Sequence, residues 1–344
     1  MRFLVLVAAA TVVGATPVKR QQPQSNPILH FFVFGDSYSS SGFNETSPAP
    51  SISQPLGFPP LGTSPDDLLG NPLIANQTSS NGPNWVEFLT ARWNTTTTLT
   101  YDFAISGASI PDGYTDQALN IYEPKYSSLY AGDYGNTSSQ IPISNQSSSG
   151  SGGETLGMTW TSNTSIFASW VGINDINWCS LLFTTTPDVP FSECLPPRLD
   201  AYFNLMDNLY ITGARNFFFI NLPPLQRAPM VFEKGQKIID NYAQGVALWN
   251  QNLFPAYVRN FTAQHPGSRA VVYDAHSAFS TILDHPRYYG FRDSTCYSCI
   301  GCRNVTGCFW SNNYHPVWQV HDRLSRDMVA NLTAVGWPVQ QPVS

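Results

Sequence analysis

An α/β fold built on a mainly parallel sheet follows from two features of this 344-residue sequence. Its strand-like segments are apolar on both faces, as strands covered by helices on either side must be, and they alternate with segments of helical periodicity. The alternation shows no internal repeat and no linker between self-sufficient cores, so residues 21–344 read as a single domain.

The first strand is His30-Phe31-Phe32-Val33-Phe34, which runs directly into Gly35-Asp36-Ser37. Trp85 to Trp93 suits a short helix, and Tyr101 to Ile105 a second strand leading into Ser106-Gly107-Ala108. Ile166 to Val171 is a third apolar strand, ending in Gly172-Ile173-Asn174-Asp175. Leu199, Tyr202, Phe203, Met206, Leu209 and Tyr210 recur at helical spacing up to Ile211, and Gly213 closes that helix before the strand Phe217 to Ile220. A helix from about Ile238 through Tyr257, a strand Ala270 to Tyr273 and a last helix Trp318 to Leu332 complete the series. Pro48 to Pro72 and Ile143 to Gly153, rich in Ser, Pro and Gly, read as surface loops. Parallel sheets bind ligands beyond the carboxyl ends of their strands, so the turns at Ser37, Gly107 and Asn174 are expected to meet in one crevice.

Charged residues are only 12% of the chain, about half the roughly 25% of ordinary soluble domains. Glycans on Asn-x-Ser/Thr sequons would restore solubility, and there are nine: Asn44, Asn76, Asn94, Asn136, Asn145, Asn163, Asn260, Asn304 and Asn331. Residues 1–15, MRFLVLVAAATVVGA, join an early Arg, an apolar run too short to span a bilayer and the small-residue site Val13-Gly14-Ala15, the pattern of a signal peptide. Lys19-Arg20 then marks 16–20 as a short propeptide. Removing that leader takes three basic residues from a chain of net charge −6, and the acidic remainder is a poor partner for nucleic acid or anionic membranes. A secreted, extracellular, glycosylated monomer is the expectation. In an oxidising compartment the six cysteines read as disulfides, Cys179 with Cys194 and the crowded Cys296, Cys299, Cys302 and Cys308 in one of three pairings. No His falls within that cluster, which fits staples better than a metal site.

Ester chemistry by a hydroxyl needs a base within hydrogen-bond reach and donors aimed at the oxyanion. Ser37 fits the nucleophile, although Gly35-Asp36-Ser37-Tyr38-Ser39 lacks the second Gly of a G-x-S-x-G elbow. Taken alone, Gly-Asp-Ser is more often a strand-ending turn with a capping Ser. Gly107 is more often just a turn residue, although without a Cβ its N–H can approach a ligand closely, and Asn174 is equally a helix N-cap or an amide donor. Of the six histidines, His265 and His285 sit in loop-like His-Pro pairs, whereas His315-Pro316 opens the last helix. His321 and Asp322 read as a solvated or capping pair on that helix.

In this order, Phe34-Gly35-Asp36-Ser37-Tyr38-Ser39, Phe103-Ala104-Ile105-Ser106-Gly107-Ala108, Gly172-Ile173-Asn174-Asp175 and His315-Pro316 resemble the Ser, Gly, Asn and His blocks of the GDSL or SGNH hydrolase family. The resemblance runs from Phe31 to Leu332. Ser80-Asn81-Gly82-Pro83-Asn84-Trp85, Phe219 to Leu225 and Phe309-Trp310 are similar to fungal secreted members of carbohydrate esterase family 16. What it implies is a three-layer α/β/α domain and an acetylesterase for acetylated plant-wall oligosaccharides, xylo- or manno-type. Ser37 would be nucleophile, His315 general base, and Ser37 N–H, Gly107 N–H and Asn174 the oxyanion hole, with no cofactor or metal. Relatives carry Asp three residues before the His, where this chain has Asn312. Asn312 can orient the ring without offering a charge; Asp293 or Asp322 would be a remote substitute. A lipase or phospholipid esterase of the same family, or a glycan-binding relative with impaired chemistry, are the alternatives.

Overall fold

The computed structural model describes residues 28–43, 49–57, 78–110, 160–185, 189–297 and 307–337. Outside them lie residues 1–20, read above as signal peptide and propeptide, the stretch from Ile143 to Gly153 and most of Pro48 to Pro72. Asn44, Asn76, Asn136, Asn145, Asn304, Cys299 and Cys302 lie outside them as well.

Five parallel strands form the sheet: β1 (Leu29–Gly35), β2 (Thr98–Asp102), β3 (Ser165–Trp170), β4 (Asn216–Ile220) and β5 (Arg269–Tyr273). Their spatial order is β2-β1-β3-β4-β5. After β1 the chain fills one side of the sheet, then crosses back to continue on the other. The crevice opened by that reversal lies between the carboxyl ends of β1 and β3, paired to the last position through Gly35 and Trp170. β1 and β3 are buried along their whole length, which is why they lack polar alternation.

Register shows which helix covers which face. Phe32, Phe167 and Phe217 are matched across β1, β3 and β4 and share one face. Phe217 meets Phe261 of α6 (Phe254–Gln264) on that side. Phe31, pointing the other way, meets Trp85 of α1 (Trp85–Ala91), and α1 packs on the last helix, α8 (Trp318–Leu332). Helices therefore cover both faces, the three-layer arrangement.

Most of the expected elements are present, with boundary changes that have local causes. β2 begins three residues before Tyr101 and stops at Asp102, whose carboxylate accepts the Ala104 N–H and turns the chain out of the sheet. The threonines at 98 and 100, β-branched and buried, belong to the strand. The helix expected from Leu199 starts at Phe191 (α3, Phe191–Ile211) despite Pro196 and Pro197 within it. The Cys179–Cys194 disulfide and an Arg198 guanidinium bonded to the Cys194 carbonyl hold that first stretch. The helix predicted from Ile238 to Tyr257 is longer and broken: α5 (Gln236–Ala247), a π-helical stretch Leu248–Leu253, then α6. Pro255 has no N–H to give, and just before it the ladder shifts, Phe254 N–H reaching Trp249 O. Three pieces were not predicted: α2 (Ile173–Thr185), α7 (Ala275–Asp284) and a two-stranded ribbon of β6 (Asp293–Tyr297) and β7 (Cys308–Trp310). A four-residue helix, α4 (Pro229–Phe232), precedes α5.

Candidate active site

Ser37 stands just past β1, half-buried at the crevice. A Cβ on Gly35 would fall 2.4 Å from the Trp170 carbonyl, so only glycine lets β1 and β3 end side by side here. Beyond it, Asp36 shapes the turn: its carboxyl accepts the Tyr38 N–H (2.9 Å), its carbonyl those of Ser39 (3.0 Å) and Ser40 (2.9 Å). Burial pushes the Asp36 carboxyl up to about 8, so at neutral pH and below no negative charge sits beside Ser37.

The second segment follows β2. Ile105 to Ala108 is a tight turn closed by Ala108 N–H to Ile105 O (3.0 Å), with Gly107 at φ +82°, a conformation glycine supplies without strain. Asn174, in the first turn of α2, donates its amide to Ala108 O (2.8 Å) and so ties the third segment to the second. Next to it, buried Asp175 accepts the Ile110 N–H (3.0 Å) and faces the buried Arg198 guanidinium (3.3 Å). The N–H groups of Ser37 and Gly107 make no hydrogen bond to any described residue.

His315 arrives from the other end of the chain. After β7 the segment Ser311 to Pro316 folds back on itself, with Ser311 N–H to His315 O (2.8 Å) and a bridge between Trp310 and Pro316. His315 Nε2 lies 2.7 Å from Ser37 Oγ, and Nδ1 lies 3.0 Å from Asn312 Oδ1. That oxygen also accepts the backbone N–H of Tyr314 (2.8 Å) and His315 (2.9 Å), so it is fixed as an acceptor. The hydrogen-bond network therefore assigns the ring proton to Nδ1, leaving Nε2 to accept from Ser37. Burial, with no carboxylate to oppose it, lowers the His315 pKa to about 4.

A model of the GDSL-like lipase/acylhydrolase family matches residues 31–316. The chain belongs to this family. As a GDSL hydrolase it is a carboxylic ester hydrolase. An acetylesterase of Thermothelomyces thermophilus is 30% identical to it over 98% of each chain, and one of Hypocrea jecorina 22% identical over 87% of each. The Arabidopsis thaliana GDSL esterase/lipase At3g53100 is 26% identical over 42% of this chain and 45% of its own length. A solved acetyl-xylooligosaccharide esterase from Geobacillus superposes with a TM-score of 0.42 at 13% identity, covering 92% of this chain and 98% of that one.

Neither remote acid reaches the histidine of this GDSL hydrolase. Asp293 is spent on the turn into β6, accepting Thr295 N–H (2.8 Å) and Cys296 N–H (2.7 Å). Asp322 takes the Trp93 indole N–H (2.9 Å) and pairs with Arg92 (3.3 Å). The reading of His321 and Asp322 as a solvated pair is corrected for His321, which is buried at 1% exposure on the inner face of α8, one turn before Leu324. Burial, and the neighbouring His315, lower its pKa to about 3.

Sequence reasoning missed two groups that join the segments. Tyr38 donates its phenol to Tyr314 O (2.6 Å). The stretch Ser79 to Asn84 touches both loops: the Asn84 amide donates to Ser39 O (2.5 Å) and Ser40 O (3.0 Å), while Ser79 O and Ser80 O accept from Ser311 Oγ (2.5 Å) and Trp318 N–H (2.8 Å). Asn84 does this while capping α1 in a capping box with Glu87. The signal was present as Ser80-Asn81-Gly82-Pro83-Asn84-Trp85, a polar stretch just before a helix, but nothing in it names the carbonyls it would meet.

The Cys296–Cys308 disulfide clips β6 to β7, seven residues before His315 along the chain. Its reduction is expected to lower kcat severalfold below the melting temperature, because β7 carries the loop that presents the ring. Full activity with both thiols shown to be free would sever that link.

Proposed function

We propose that this GDSL hydrolase is a secreted serine acetylesterase that deacetylates plant-cell-wall oligosaccharides of the xylo or manno type. The observation that carries the reading is the unbroken line Ser37 Oγ, His315 Nε2, His315 Nδ1, Asn312 Oδ1, each step within hydrogen-bond distance. Both acetylesterase relatives cover most of the chain, which supports the acetyl group as the one transferred.

In the first half-reaction His315 takes the Ser37 proton as the oxygen attacks the acetyl carbonyl. The oxyanion is met by the N–H groups of Ser37 and Gly107 and by the Asn174 amide. Neutral Asp36 and the Arg198-paired Asp175 keep uncompensated negative charge away from that oxygen. His315 then gives its proton to the departing sugar oxygen, leaving acetyl-Ser37; water activated by the same ring releases acetate. Secretion, N-glycans at exposed sequons such as Asn163 and Asn260, a monomeric state and one catalytic domain over 21–344 belong to the same proposal.

The test is acetate release from acetylated xylo- and manno-oligosaccharides, with an aryl acetate and a long-chain ester alongside. Release from the sugars is the expected result. Turnover of the long-chain ester alone would turn the reading to a lipase, and no turnover of any ester to a glycan-binding relative.

A further inference from the structure

The residues that follow the nucleophile and precede the base are themselves joined, and that bond has a geometric consequence. The peptide unit between Tyr314 and His315 is held at both ends: its oxygen by the Tyr38 phenol (2.6 Å), its N–H by Asn312 Oδ1 (2.9 Å). A peptide plane fixed at both poles cannot rotate, so the Cα of His315 keeps one orientation toward Ser37. Tyr38 is in turn fixed by its own backbone, whose N–H is bonded to Asp36, and by its ring, edge-on to Trp170 and 5.2 Å from the His315 ring. The Tyr314 phenol extends the line toward Ile173 O (3.4 Å), the residue before Asn174.

We infer that Tyr38 is a positioning residue of the esterase: its phenol, through the Tyr314 carbonyl, sets the distance between Ser37 Oγ and His315 Nε2. This rests on the serine-esterase reading above and adds to it a group that touches neither substrate nor reacting atoms. The phenol is suited to the task at every working pH. Burial, with Asp36 nearby, pushes its ionisation well above the usual tyrosine range, and it stays a donor. Its bond spans 276 positions of sequence, so it reports on the meeting of the two loops rather than on either alone. Proximity is worth most where reacting atoms must stay within a few tenths of an ångström, and a small loss of registration falls on turnover before binding.

Tyr38→Phe removes the bond and keeps the packed ring. The control is Tyr257→Phe, which loses a solvent-exposed phenol bond of 2.5 Å to Asp200 between α6 and α3, away from the site. Each is compared with wild type in kcat and KM on an aryl acetate and in the rate at which a small fluorophosphonate labels Ser37, well below the melting temperature. Tyr38→Phe is expected to lower kcat about tenfold with KM within about twofold, and to slow labelling in parallel, while the control matches wild type. Wild-type kcat and labelling in Tyr38→Phe, with Ser37 labelled rapidly in wild type, would overturn the positioning role and leave the esterase standing. Equal losses in Tyr38→Phe and Tyr257→Phe would overturn it too, as a general effect of removing a tyrosine hydrogen bond. An unlabelled Ser37 in wild type would instead take down the serine-esterase reading itself.

Discussion

Ser37→Ala is expected to lower acetate release by roughly 10⁴- to 10⁶-fold, the range seen when a serine nucleophile is removed from a preformed site. The fold should be indifferent. Among the described residues the Ser37 side chain bonds only to His315 Nε2, so alanine leaves that one ring nitrogen without its partner. The melting temperature should therefore stay within a few degrees of wild type. Residual activity comes from the oxyanion donors acting on attacking water, which is why the loss is large but finite. The measurement is single-turnover acetate release beside thermal melting of both proteins. A mutant that keeps more than a few per cent of the rate would remove Ser37 as the nucleophile.

Asn312→Asp should give two pH–rate curves that cross. The Asn312 oxygen already accepts from the ring and from two backbone N–H groups, so an aspartate oxygen inherits that geometry and brings a charge with it. A carboxylate against Nδ1 favours the imidazolium, stabilising the transition state and raising the His315 pKa from about 4 toward or beyond its ordinary value near 6.5. Above pH 7 the variant should turn over about tenfold faster or more; in a serine protease the reverse change costs about 10⁴. Below about pH 5 the sign reverses. The base must be deprotonated to act, wild-type His315 stays neutral down to about pH 4, and a raised pKa takes the variant's ring out of action first. Profiles of kcat/KM from pH 3.5 to 8.5 would show it. Superimposable acid limbs would mean that Asn312 does not govern the ring.

Strands were legible because β1, β3 and β4 each carry a run apolar on both faces, Phe31–Phe34, Ile166–Ala168 and Phe217–Ile220, as expected of strands covered on both sides. The site was legible for a related reason. Chemistry in a parallel sheet sits where strands end, and Ser37, Gly107 and Asn174 all follow strand ends in the sequence. What was hidden lies in bonds between segments far apart along the chain. Nothing local to Tyr38 says that its phenol will find a carbonyl 276 residues on, nor that Asn84 will divide its amide between two functions, a helix cap and the Ser39–Ser40 carbonyls. Spacing along the chain could neither bring Asp293 or Asp322 to the ring nor keep them from it; where their carboxylates went excluded both. α3 was misjudged at its start because proline propensity argues against a helix there, while the disulfide to Cys179 and the buried Arg198 of the helix itself hold it.

Ser37 and His315, the proposed nucleophile and base, stand 278 positions apart, one just after the first strand and the other just before the last helix. Three of the four functional segments are complete by Asp175, about halfway along, yet none is useful until the carboxyl-terminal segment has docked. In the proposed mechanism catalysis is therefore the last property the chain acquires during its biogenesis. Contacts of such long sequence separation form late, after local helices and neighbouring strands have collapsed. A growing or truncated polypeptide carries the serine and the oxyanion donors without the ring that activates them. Under that mechanism, activity reports that the segment carrying His315 has docked in each molecule, a check that compactness or secondary structure alone would not make.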